Sequence, residues 1–263
     1  MGLDLVTYLR TEFISAALVT NQTPRSADVC VQIGTEDGRA VNFVPRTIRT
    51  LITSSAEADG KLTVSARRQL KQQAERRQAA EVDMVDQCAD NLVEVEDNSV
   101  DVVISMTAAN RMKENGQNWK RSVQEAARVL KPGGRLLFVE PTDIGGESYL
   151  SYVQNLFTQF RPAEGSDDAE TEEDEEEIPT FPVFDEVGFD EIDFVLVPHI
   201  AGVAIKAEDA DLSPKEKAEK VANEEMDKAA DFSIAALESG IKKRRKKRKK
   251  KAAAATEEEG KTT

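Results

Sequence analysis

The chain has 263 residues, 40% of them apolar and 32% charged, with a formal net charge of −14, two cysteines and one histidine. That length holds one domain of ordinary size with appendages, or at most two small ones, and the apolar share can fill a core. Cys30 and Cys88 cannot make a disulfide framework and fit a reducing compartment, a lone histidine argues against structural zinc, and the early run Ile14 to Val19, apolar but for Ser15, is far short of the roughly 20 residues that a membrane span needs.

Residues 3 to 20 read as a helix with Leu5, Leu9, Phe13 and Ala17 on one face at i, i+4 spacing, ended by Thr23-Pro24-Arg25-Ser26. Asp4 and Glu12 interrupt this stretch, so no secretory or transit segment is legible, and Val6 stands where an N-myristoylation motif needs Ser or Thr. The expected location is cytoplasmic or nuclear, with no membrane partner. Strand-length apolar runs follow at Asp28 to Gly34, Thr50 to Ser54, Glu81 to Val85, Val100 to Met106 and Arg135 to Glu140. Helical stretches fall between most of them, most clearly at Val64 to Ala80 and Trp119 to Leu130. Strands alternating with helices predict an α/β fold with a parallel sheet covered on both faces.

Lys131-Pro132-Gly133-Gly134 stops the second of these helices, since proline cannot continue it and glycine allows a tight reversal. Ile192 to Val197 and Ile200 to Ile205, separated by Pro198-His199, read as a hairpin that gives the sheet an antiparallel edge strand. Ser213-Pro214-Lys215-Glu216 has the residues of a helix start, and the helix is expected to run to Gly240. The organisation is therefore a helix over residues 1–27, a sheet domain over 28–206, a helix over 207–240 and a basic tail over 241–263.

Two charge blocks oppose each other. Glu164 to Glu177 holds ten acids in fourteen residues, and Lys242 to Lys251 is ten consecutive bases; taking those ten charges away from −14 leaves −24. Both are too charged to bury and are expected to be solvated. The basic run reads as a nuclear-localisation or nucleic-acid-binding segment, as a partner for an acidic protein or for the acidic insert, or as a solubilising tail. It has no interleaved aromatics, so any nucleic-acid binding is expected to be electrostatic and salt-dependent.

The loop Gly34-Thr35-Glu36-Asp37-Gly38 follows the first strand, where an open parallel sheet places its ligand loop. A dinucleotide loop wants G-x-G-x-x-G against pyrophosphate, whereas here two carboxylates stand between two glycines and would repel it. A cationic cofactor escapes that repulsion. The glycines alternatively serve only the turn.

Asp97-Asn98-Ser99-Val100-Asp101-Val102-Val103-Ile104-Ser105, then Val123 to Glu140 with its Leu130-Lys131-Pro132-Gly133-Gly134-Arg135-Leu136-Leu137 centre, resemble the fourth strand, following helix and fifth strand of class I S-adenosylmethionine-dependent methyltransferases. The resemblance covers about residues 28 to 206 and looks most like the quinone-biosynthesis and small-thiol branch. It implies a Rossmann-like, doubly wound, mainly parallel seven-stranded sheet with an antiparallel C-terminal hairpin strand. It further implies S-adenosylmethionine as cofactor, held by Gly34, Thr35, Gly38, Ser55, Ala89, Asp90 and Met106. In-line methyl transfer rests mainly on orientation, so no catalytic residue need stand out; His199 is the one candidate base, against its reading as a turn histidine tied to backbone.

The match departs from the family at three places. Gln32 stands where an acid usually precedes the loop, Glu36 replaces the central glycine, and Ser54 or Ser55 takes the place of the acid that grips both ribose hydroxyls. Cys88-Ala89-Asp90 keeps the likeness to the adenine-reading segment, although Asp90 also reads as a solvated loop acid. An active methyltransferase with an unidentified acceptor is the leading expectation. The alternative is a catalytically inactive scaffold whose charged tails bind nucleic acid or protein.

Overall fold

Three apolar runs make the centre of the sheet: β1 (Val29–Ile33), β4 (Val100–Met106) and β5 (Leu130–Pro141). Cys30, Val31, Ile33, Val102, Val103, Ile104 and Leu136 to Val139 are buried along them, as strands covered on both faces require. Around these the computed structural model adds β2 (Thr50–Thr53), β3 (Glu81–Asp83), β6 (Phe184–Ile192) and β7 (His199–Lys206) in the order β3-β2-β1-β4-β5-β7-β6. The first five strands pair in parallel, and β7 runs antiparallel to both β5 and β6. This is the Rossmann-like, doubly wound sheet that the family resemblance implies.

The structure describes residues 2–77, 81–142, 146–157, 182–192 and 197–210, with 212, 216, 219, 220 and 223 beyond them. Two compact units divide the chain, residues 1–211 and 212–263; in the second, 216, 219, 220 and 223 are helical. The acidic block, the rest of the expected C-terminal helix and the basic tail lie outside the described residues. Among the described residues no helix is long and apolar enough to cross a membrane.

The helices are α1 (Gly2–Gln22), α2 (Arg39–Phe43), α3 (Val64–Arg77), α4 (Ala108–Glu114), α5 (Trp119–Val129) and α6 (Glu147–Gln154). Because strand residues alternate between faces, the core has two halves. Val31, Ile33, Val103, Leu136 and Phe138 face Met112, Val123, Ala126 and Tyr149 on one side. Cys30, Leu51, Val102, Ile104 and Leu137 face Val19, Val41, Phe43 and Leu70 on the other.

Three expectations need correcting. The sixth strand begins at Phe184 and Ile192 is its last residue, so the expected Ile192 to Val197 strand is misplaced; residues 193–196 lie outside the described set. The antiparallel strand β7 is interior and β6 forms the edge, because β7 inserts between β5 and β6. The apolar face of α1 was also misassigned: Leu5 is 58%, Leu9 53% and Phe13 75% exposed, whereas Ser15 and Val19 are buried and Ile14 and Leu18 pack beside Val139, Ile192 and Ala201. A row at i, i+4 drifts about 40° per step around a helix of 3.6 residues per turn, and the sheet takes the neighbouring row.

Candidate functional site

The strand order reverses between β1 and β4, and a crevice outside the carboxyl ends of strands at such a point is where open α/β sheets bind ligands. Both strands lead residues there: Gln32 and the Gly34 loop from β1, and Met106 with the following Thr107 from β4. Gly34 is in the left-handed region at φ +60°, and a β-carbon there would lie 2.9 Å from Ala108 Cβ and 3.2 Å from Ala56 Cβ. The turn therefore requires glycine, and the chain segments after β2 and β4 close directly upon it. The Gly34 N–H donates to Ser54 Oγ at 3.2 Å, Ser54 Oγ donates to the Gln32 carbonyl at 2.9 Å, and Thr35 N–H donates to the Ser54 carbonyl at 2.6 Å. Arg111 of α4 reaches over and donates to the Gly34 carbonyl.

A pocket of about 40 Å³ lies beside this loop, lined by Glu12 of α1, Gln32, Glu36, Met106, Thr107 and Arg111 among others. The volume falls far short of the roughly 300 Å³ or more of a whole small-molecule site, so it suits one small polar group of a larger ligand. Its chemistry is polar and of both signs. Arg111 Nε lies 3.6 Å from Glu36 Oε2, close enough for an ion pair but too long for a hydrogen bond, and Arg111 Nε, Gln32 Oε1 and Thr35 Oγ1 are buried without a hydrogen-bond partner. Buried polar atoms normally find one, so Arg111 Nε and Gln32 Oε1, which line the pocket, mark a place where water or a polar ligand belongs.

On the other side of Gly34 the crevice is filled. Ser55 is buried; its N–H donates to Gln87 O at 2.8 Å, its hydroxyl donates to Lys61 O at 2.9 Å, and Ser55 Oγ accepts from Glu57 N–H at 3.1 Å. The Ser55 carbonyl accepts from Ala89 N–H at 2.9 Å and from Gln117 Nε2 at 3.0 Å. Gln117 Nε2 also donates to Glu57 O at 2.6 Å, Asn115 Nδ2 to Ala56 O at 3.1 Å, and the Asn118 N–H to Asp90 Oδ2 at 2.8 Å. Ser55 and Cys88 form an isolated parallel bridge, so the segments after β2 and β3 are zipped together.

The site residues expected from sequence thus fall into three groups. Met106 lines the polar pocket, and Gly34 and Thr35 belong to the loop beside it, whose Glu36 and Asp37 do line it. Ser55, Ala89 and Asp90 meet one another beneath the turn from Asn115 to Asn118. Gly38 stands apart as the residue before α2, where a β-carbon would come within 2.8 Å of the Gln69 carbonyl, so close packing against α3 explains its identity. His199 opens β7 opposite Pro141 and Ile192, is buried, and holds Nδ1 2.7 Å from the Val197 carbonyl, which fixes Nδ1 as the protonated nitrogen. Burial pushes both thiols above their ordinary value, Cys30 far above, so neither is a thiolate at neutral pH.

Two further residues escaped the sequence reading. Glu140, fully buried near the end of β5, accepts through Oε1 from Ser105 Oγ at 3.1 Å, Ala108 N–H at 3.0 Å and Ala109 N–H at 3.3 Å, while Oε2 has no partner. Burial drives its pKa up to about 7 against the opposing effect of those hydrogen bonds. It holds the first turn of α4 and hence the helix that carries Arg111. An acid closing the apolar run Leu136-Leu137-Phe138-Val139 was the available signal. Arg111 gave none, because the helix that positions it is short and mixed in composition. Thr107, which links β4 to α4, is a β-branched residue in the left-handed region at φ 52°, a conformation that persists only where its surroundings enforce it.

A family model described as a methyltransferase domain matches residues 52–138, from within β2 to within β5. No curated protein matches the chain. Among solved structures, the YcgJ protein from Bacillus subtilis is similar at 16% identity and a TM-score of 0.47, with 74% of this chain and 99% of that one covered. A SAM-dependent methyltransferase from Aquifex aeolicus is similar at 11% identity and a TM-score of 0.48, with 75% and 93% covered. A 16S rRNA N2 G1207 methyltransferase from T. thermophilus, solved with AdoMet and guanosine, is similar at 12% and 0.45, with 76% and 41% covered.

Proposed function

We propose that this protein is an S-adenosylmethionine-dependent methyltransferase, with the amino-acid end of the cofactor in the polar pocket beside Gly34. The observation that carries this reading is the pairing of Arg111 with Glu36 around buried polar atoms that lack partners, on a sheet whose β2 to β5 region matches a methyltransferase domain. A zwitterionic amino acid needs a cation for its carboxylate and an anion for its ammonium. Arg111 offers the first, and Glu12 and Glu36 the second.

The fit is uneven. The amino-acid end finds suitable groups, but the nucleoside end meets a crevice that the chain itself occupies, with both hydrogen-bonding roles of the Ser55 hydroxyl already taken. When bound, S-adenosylmethionine supplies a methyl group made electrophilic by its sulfonium. For that chemistry the chain has chiefly to orient and to exclude water. Thr11, Glu12 and Ser15 of α1 roof the pocket, and Glu140 fixes α4 from beneath.

A second reading, a methyltransferase-fold scaffold without catalysis, draws on the filled nucleoside side and on Gln32 and Ser55. In either reading Lys242 to Lys251 adds an electrostatic contact with nucleic acid or an acidic protein, and a nuclear address. Thermal unfolding with and without S-adenosylhomocysteine separates the two. Ligand at 100 times its dissociation constant stabilises the folded state by about 2.7 kcal/mol, and a scaffold shows no shift at millimolar ligand.

A further inference from the structure

We infer that the turn from Asn115 to Asn118 is a strap that occupies the nucleoside position of this chain's own crevice and must leave before a nucleoside enters. The inference rests on the cofactor reading above and adds a conformational gate to that same site.

Four observations converge on the strap. Its side-chain amides reach beyond the α4-to-α5 connection that carries them: Gln117 Nε2 spans the Ser55 and Glu57 carbonyls at 3.0 and 2.6 Å, and Asn115 Nδ2 reaches Ala56 O at 3.1 Å and Glu57 Oε2 at 3.3 Å. The Asn118 N–H takes Asp90 Oδ2 at 2.8 Å, so the strap engages both the segment after β2 and the loop after β3. Those are the groups on which a nucleoside in this crevice would depend.

The closed arrangement is also imperfect. Gln117 Oε1 is buried and has no hydrogen-bond partner, a defect that opening to water would relieve. Permanent packing seldom keeps such a group. Finally, the backbone before α4 is strained, whereas the strap itself closes α4 with a glycine, Gln117 N–H donating to the Met112 carbonyl at 2.7 Å and Gly116 N–H to that of Lys113 at 3.3 Å. Thr107 holds φ 52° before α4, and Gly116 within the strap holds φ +79°, with open space where a β-carbon would stand. Release at Thr107 relaxes an unfavourable conformation and offsets the two capping bonds at Gly116 and Gln117 that opening breaks.

A closed strap lowers the apparent affinity by the fraction of molecules that are open. Removing its amides should therefore tighten binding although it removes no group that the ligand would touch. The only tryptophan of the chain, Trp119, follows the strap directly, with its ring stacked on Tyr149 at 5.5 Å between centroids, and so reports on its position.

The test compares the full chain with its Asn115→Ala/Gln117→Ala variant, titrating S-adenosylhomocysteine by calorimetry and following Trp119 emission. The inference expects at least tenfold tighter binding by the variant, and an emission change on ligand addition to the unsubstituted chain that the variant already shows in part without ligand. Equal or weaker binding by the variant overturns the strap while leaving the cofactor reading intact. So does ligand binding to the unsubstituted chain with unchanged emission. No binding by either protein at millimolar ligand overturns the cofactor reading and the strap together, since the strap would then not be what keeps the nucleoside out.

Discussion

Arg111 and Glu36 face each other 3.6 Å apart across the mouth of the polar pocket, and the same guanidinium donates to the carbonyl of Gly34. One side chain thus joins α4 to the loop after β1. Substituting Arg111→Ala should weaken S-adenosylhomocysteine binding about ten- to a hundredfold, the value of a charge-assisted hydrogen bond. Adenosine, which lacks the amino-acid end, should bind the variant and the unsubstituted chain alike. Competition titrations with the two ligands check this, and equal losses for both would place Arg111 outside the amino-acid site.

Glu140 makes stability depend on pH. Its pKa stands at about 7 in the folded protein against an ordinary 4.5, chiefly through burial. Between those values the folded protein keeps a proton that the unfolded chain has lost, so stability falls as pH rises through this window and levels off above pH 7. The full difference amounts to about 3 kcal/mol. Glu140→Gln keeps an oxygen for the Ala108 and Ala109 N–H groups and should flatten that slope. Urea midpoints at pH 5 and pH 8 measure it, and an unchanged slope in the variant would assign the pH dependence to another group.

Gly34→Ala and Gly116→Ala separate crowding from backbone strain. Both glycines have positive φ, but a β-carbon at Gly34 collides with Ala108 and Ala56, whereas at Gly116 it meets nothing within 4 Å. The second substitution should cost about 1 kcal/mol, from the left-handed backbone alone. The first adds overpacking of about 1–3 kcal/mol. Chemical denaturation of the two variants gives the difference directly.

The exposed row on α1 supplies a fourth expectation. Phe13→Ser should change stability by no more than about 0.5 kcal/mol, because Phe13 is 75% exposed. Val19→Ala, at a buried position against the second half of the core, should cost about 1–3 kcal/mol. Thermal or urea unfolding ranks them, and the reverse order would restore the face assigned from sequence.

What the sequence made legible follows from burial. β1, β4 and β5 are covered on both faces and announce themselves as apolar runs, and the Lys131-Pro132-Gly133-Gly134 stretch marks where α5 gives way to β5. β6 carries Asp185, Glu186, Asp190 and Glu191 at the sheet edge and buries only its first and last residues, so the more apolar run beginning at Ile192 drew the assignment away. The loop after β1 was found because glycine is required there. The filling of the crevice was invisible, since Gln117 meets Ser55 and Asn115 meets Ala56 across some sixty residues of chain, and no local pattern records such a pairing. Glu140 closes a strand-length run in the sequence, yet its role depends on a helix start more than thirty residues earlier in the chain.

The most direct measurement of the central claim is calorimetric titration of the full chain, and of its Asn115→Ala/Gln117→Ala variant, with S-adenosylhomocysteine. Saturable binding at one site per chain, tighter in the variant, is the result this account predicts. Absence of binding heat from both proteins at millimolar ligand would contradict it and leave a methyltransferase-like fold serving as a scaffold.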